Sequence, residues 1–133
     1  MGEIEITMQN EKKREILLVV LWAAIEDYVP LFEIPWELNS VYDSIDSIGM
    51  SRKILTRFIY RDFIEIFKGE YNDLKKINDI ETSIYLLNEE EYWEASDEYE
   101  KIIRISATEK GVKFYKEIYS ANNINVLYPD SIE

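Results

Sequence analysis

The 133 residues contain neither cysteine nor histidine. Without cysteine there are no disulfides, thiolate metal sites or cysteine nucleophiles. Without histidine the commonest metal ligand and general base are missing, and so is every Ser-His or Cys-His pairing. Only four glycines and three prolines interrupt the chain. That excludes collagen-like, linker-like and low-complexity classes. No P-loop, no G-x-G-x-x-G and no EF-hand loop occurs, so no cofactor and no metal is expected. Carboxylates, Lys or Tyr are the side chains left for catalysis. The Ser and Lys residues form no nucleophile motif, and the expectation is a protein that is not an enzyme.

What is present is a core and a great deal of acid. Apolar residues make up 47% and charged residues 32%, with ten tyrosines and three tryptophans. That mixture predicts one folded domain over residues 1–133, not a disordered acidic tail. The formal net charge is −12. Lys12-Lys13-Arg14 followed by the apolar run Ile16 to Ile25 imitates a secretory leader. The run lies behind three glutamates, and Glu15 follows the basic cluster directly, so it reads as a buried first helix. It is too short to span a bilayer. A cytoplasmic protein with no membrane partner is expected.

Residues 1–11 read as a polar lead, with an alternation Ile4, Ile6, Met8 that suits an edge strand. Residues 12–29 read as a helix ended by Pro30. A second helix is expected over 31–47, with Pro35 in its first turn and Leu31, Ile34, Leu38, Val41, Tyr42 and Ile45 at helical spacing. Ser47-Ile48-Gly49 breaks that pattern. Ser51 then suits the N-cap of a third helix at about 52–62. At 100° per residue, Ile54, Leu55, Phe58 and Ile59 fall on one side, and Lys53, Thr56, Arg57, Tyr60 and Arg61 on the other. Phe63 to Lys68 reads as a strand. Residues 69–100 form an excursion with a short helical run near 80–93. Lys101 to Ser106 reads as a second strand. Ser106-Ala107-Thr108-Glu109 matches a capping box, with Thr108 as an alternative cap. A last helix runs to about Ser120, leaving a loose tail at 121–133. The expected fold class is α+β, mainly α. Trp22 is expected in the core, Trp36 half-buried, and Trp93 either exposed or packed.

Ile105-Ser106-Ala107-Thr108-Glu109-Lys110-Gly111 resembles the strand and Thr-x-x-Gly start of the last helix in MarR-like and PadR-like regulators. The order of elements over about 12–120 resembles their winged-helix domain: three helices, a two-stranded wing and a C-terminal helix. The resemblance implies a third helix entering the DNA major groove and a wing touching the backbone. Carried onto this chain, the groove-facing set is Lys53, Thr56, Arg57, Tyr60 and Arg61. The excursion of about 32 residues departs from a simple wing, and it sets an acidic insert beside the reading helix.

Charge is distributed unevenly. Residues 51–68 carry net +3 and residues 101–116 net +4, while the insert at 69–100 carries net −9. The pattern has three readings. The insert neutralises its own basic neighbours, or docks a basic partner, or gates a DNA reader. In the second, Glu89, Glu90, Glu91, Glu94, Asp97 and Glu98 steer and pair with a positive surface. Tyr92 and Trp93 are the expected anchors, with Tyr71, Tyr85 and Tyr99 interleaved. The functional expectation is an immunity or antitoxin-like inhibitor that occupies a basic toxin or nuclease. The alternative is a winged-helix transcriptional regulator binding nucleic acid. Acid pairs such as Glu89-Glu90-Glu91 and Asp97-Glu98 read as solvated faces, not metal sites.

Overall fold

A computed structural model describes the backbone of residues 2–43, 46–98 and 101–120, and side chains from Lys12 onward other than Tyr71. The elements run α1 (Gly2–Glu26), β1 (Val29–Pro30), α2 (Ile34–Asn39), α3 (Ser47–Tyr60), β2 (Ile64–Lys68), β3 (Lys75–Ile77), α4 (Ile80–Leu87), β4 (Ile103–Ala107) and α5 (Glu109–Ser120). The fold is α+β and mainly helical, with one antiparallel sheet in the order β1-β4-β2-β3. Among the described residues, no helix is long and apolar enough to cross a membrane.

β2 is the hinge of the sheet. Ile66 pairs with Ile105 of β4 on one side and with Ile77 of β3 on the other. Ile64 and Ile66 alternate inward along β2, as Ile103 and Ile105 do along β4. Period-two burial of β-branched residues is the reason these segments settle as strands. β1 is a two-residue edge strand, and Pro30 is tolerated there because the edge needs no further donor.

Helices α1, α2, α3 and α5 close over the sheet around one cluster, with Leu17, Val20, Leu21, Leu31, Leu38, Ile54, Leu55 and Phe58 among its buried members. An aromatic trio ties three elements together. Phe63 stacks on Phe114 with centroids 4.3 Å apart, and Phe58 meets Phe63 edge-on at 5.8 Å.

Several expectations about boundaries are corrected. The lead at 2–11 is helical backbone continuous with α1, so no edge strand forms at Ile4 to Met8. The first helix stops at Glu26, short of Pro30, because Val29 and Pro30 extend to pair with Ile105 and Arg104. The second helix is shorter than 31–47. A 3-10 turn at Leu31–Glu33 leads into α2, which ends at Asn39. Ile45, Tyr99, Glu100 and the tail 121–133 lie outside the described residues.

Ser47-Ile48-Gly49 does not break the chain but opens α3. The Asp46 carboxylate accepts the Gly49 N–H at 2.9 Å and caps the helix, so Ser51 is not the cap. Ser51 is buried mid-helix and donates its hydroxyl to the Ser47 carbonyl at 2.6 Å. At the last helix the alternative cap is the right one. Thr108 Oγ1 accepts the Gly111 N–H at 3.0 Å and donates to the Asp62 carbonyl at 2.5 Å, while Thr108 N–H donates to Phe63 O at 2.9 Å. Gly111 is required by the same contact. A Cβ there would meet Phe63 O at 2.1 Å. The Thr-x-x-Gly spacing thus locks the start of α5 onto the loop that enters β2.

Candidate interaction surfaces

The acidic segment is not an appendage. β3 extends the sheet, α4 packs on α3, and Leu86, Leu87, Tyr92 and Trp93 belong to the same buried cluster as Ile54 and Leu55. Asp79 caps α4, with its Oδ2 accepting the Thr82 N–H at 2.9 Å and the Thr82 hydroxyl at 2.6 Å. Those bonds hold the Asp79 carboxyl below its usual range, the side-chain bond from Thr82 contributing most. After α4, a 3-10 turn at Glu90–Trp93 folds the chain back against α4 and the 3-10 turn at Leu31–Glu33.

That turn decides the fate of the expected anchors. Tyr92 and Trp93 are buried, Trp93 to 5% exposure. The Trp93 indole N–H donates to the Leu87 carbonyl at 2.7 Å, satisfying its one polar atom inside the fold. The Arg52 guanidinium lies 5.7 Å from the centroid of the Trp93 ring. Lys68 Nζ lies 5.4 Å from the centroid of Tyr92 and 3.3 Å from its hydroxyl. These two aromatics therefore cover two cations of the basic stretch 51–68, and their rings are buried inside the domain. The other two tryptophans are more exposed than expected. Trp22 is exposed on α1, leaning on Tyr115 at 5.6 Å, and Trp36 is 60% exposed on α2. One position after Leu21, Trp22 turns 100° away from the stripe that Leu17, Leu21 and Ala24 bury.

The carboxylates meet the opposite fate. Glu90, Glu91, Glu94, Asp97 and Glu98 are all exposed, and Glu89 is half-buried. Tyr85 stands exposed on α4 one turn before Glu89. Hydrogen bonding to the Glu89 carboxylate raises the Tyr85 pKa, and the negative charge of Glu89 raises it further. Glu98 pairs with Lys101 at 3.2 Å. The insert thus meets the core with aromatic and aliphatic side chains and turns its acid outward.

On α3, Lys53 and Tyr60 are exposed, seven residues apart on one face, whereas Thr56, Arg57 and Arg61 are half-buried. Two clefts flank these surfaces. One of about 260 Å³ lies between the end of α3, strands β2 and β3, and the start of α4. The other, about 250 Å³, has Glu26, Asp27, Glu33 and Glu37 around Arg104, whose Nη1 donates to the Tyr28 carbonyl at 2.9 Å. Among the described residues, no group of acidic side chains is placed to hold a metal ion.

No family model, curated protein or solved structure matches the chain. The surfaces must be interpreted from their own chemistry.

Proposed function

We propose that this chain is a non-enzymatic, cytoplasmic protein-binding module, an immunity or antitoxin-like inhibitor of a basic toxin or nuclease. The observation that carries this reading is the orientation of the insert. Its apolar side is buried in the core, and Glu90, Glu91, Glu94, Asp97 and Glu98 project from it into solvent. Carboxylates on a docked turn need little further ordering when a partner arrives, which favours binding. A concentrated negative surface also accelerates encounter with a positive one. Toxic nucleases tend to be basic because their substrate is anionic, and an acidic protein can occupy that surface in its place. In the complex, Glu89 to Glu91, Glu94, Asp97 and Glu98 pair with Lys and Arg. Tyr85 is the exposed aromatic available beside them. The test replaces Glu89, Glu90, Glu91 and Glu94 with Gln and measures association with the isolated partner over a range of salt. Slower association with a flatter salt dependence is expected. An unchanged affinity sinks the idea.

A second reading is a winged-helix regulator that binds duplex DNA through Lys53, Thr56, Arg57, Tyr60 and Arg61. What favours it is the order of elements around α3 and the exposure of Lys53 and Tyr60 on one face. It expects duplex affinity that falls steeply with salt and is lost in the Arg57→Ala, Arg61→Ala double variant. No duplex binding at low salt, even after the insert's exposed carboxylates are changed to amides, ends that reading.

A further inference from the structure

The interface proposed above lacks its expected anchors, because Tyr92 and Trp93 are buried in their own domain. The cleft at the other end of α4 supplies the missing feature in inverted form. Ile59, Ile64, Ile66 and Ile77 line it, and Tyr60 and Ile80 stand beside them at 64% and 46% exposure. Its volume of about 260 Å³ lies below the range of drug-sized ligand sites, roughly 300–1,000 Å³, and suits a single side chain. The charge on its lining is negative. Lys76 is paired with Glu65 at 3.2 Å, which leaves the exposed carboxylate of Asp62. At 100° per residue, Ile59 lies to one side of Tyr60, and Arg57 and Arg61 lie about 60° and 100° to the other, away from Ile59.

We infer that this cleft receives one aliphatic or aromatic side chain of a basic protein, flanked in that partner by Lys or Arg. The inference rests on the acidic-module reading and adds the anchor to it. The partner provides the knob and this chain the hole. α4 has eight residues, so the cleft and the exposed glutamates at its far end are about 12 Å apart. One interface of ordinary size, about 800 Å² per partner, covers both. Anchors inside such an interface carry most of its affinity, while the rim charges steer.

The test uses the full chain and two short peptides as probes. One has leucine flanked on both sides by lysine and arginine; its twin has alanine at the centre. Backbone amide shifts in two-dimensional NMR report the site and the affinity. The leucine peptide is expected to bind about ten-fold tighter than its twin, with shifts at Tyr60, Ile77 and Ile80. Ile80→Lys, at an exposed position, should remove that preference and leave the fold intact. Changing Glu90, Glu91 and Glu94 to Gln should weaken both peptides equally. A leucine-to-alanine ratio near one, or a preference that survives in Ile80→Lys, overturns the cleft. Leucine preference with no response to the Glu→Gln changes keeps the cleft and overturns the acidic docking surface. Failure of both peptides to bind overturns both. Displacement of the leucine peptide by a short duplex, with shifts at Lys53 and Tyr60, overturns the cleft in favour of DNA.

Discussion

Replacing Gly111 with alanine separates intrinsic helix propensity from tertiary constraint. Propensity alone gives a gain of about 1 kcal/mol, since glycine is a poor helix former. The fold opposes it. The new Cβ would lie 2.1 Å from Phe63 O and 3.0 Å from the Phe63 carbonyl carbon, against 3.4–4 Å for ordinary contact. Both atoms are backbone, and Thr108 holds that backbone through bonds to Phe63 O and Asp62 O. α5 must therefore shift outward, disturbing the Phe63–Phe114 stack at 4.3 Å. Overpacking of this kind costs about 1–3 kcal/mol, and a rigid backbone contact belongs at the upper end. The expected net loss is about 2 kcal/mol, with a Tm lowered by roughly 5–10 °C. Gly49→Ala is the control. Its Cβ would meet Asp46 Oδ2 at 2.2 Å, but that is a side-chain atom and not backbone, so it can yield where Phe63 cannot. Losing the cap costs about 1 kcal/mol and the helix regains about as much, so the net change is near zero. Urea unfolding followed by far-UV circular dichroism measures both. A Gly111→Ala protein as stable as the parent, or a reversed order of the two variants, refutes the account of how α5 is seated.

Three further outcomes are expected. Trp93→Phe leaves the Leu87 carbonyl without its donor and should cost about 1–3 kcal/mol in chemical denaturation, although both residues are large and aromatic. The Tyr85 phenol should titrate above the ordinary tyrosine value in absorbance difference spectra against Tyr85→Phe, and Glu89→Gln should bring it back down. Because the folded-state pKa is raised, this contribution to stability is present below the ordinary tyrosine pKa and lost as pH rises through the raised value. Asp79 has the opposite sign. Its lowered carboxyl supports the start of α4 above the ordinary carboxylate value, and protection of the Thr82 amide, relative to its intrinsic exchange at each pH, should fall as pH drops through the lowered pKa, a response that Asp79→Asn removes.

β2, β4 and the buried face of α3 were legible because their burial follows local period. Ile64 and Ile66, or Ile54, Leu55 and Phe58, announce their faces without reference to anything distant. Thr108 was legible as a cap from chemistry at a fixed spacing. Gly49 was misread because a glycine in the first turn looks like a breaker until the Asp46 carboxylate is seen lying where its Cβ would be. Val29 and Pro30 were hidden because β1 exists only through pairing with residues far along the chain. The same reason hid the site. The exposed carboxylates of 89–98 were identifiable from composition, yet whether Trp93 faced out or in depended on Leu87 and Arg52, which reach it only after the 3-10 turn has formed. The isoleucine-lined cleft is gathered from α3, β2, β3 and α4, and no stretch of sequence contains it.

The position of β2 also sets an order of events during folding. Its pairing with β3 closes a short loop, joining Ile66 to Ile77, whereas its pairing with β4 joins Ile66 to Ile105. Loop-closure entropy rises with the logarithm of length, so the nearer strand pays less to arrive first. A β2–β3 hairpin with α4 folded beside it shortens the remaining unstructured path to β4. The acidic segment is then both the short path that brings β4 to β2 and a source of core, through Leu86, Leu87, Tyr92 and Trp93.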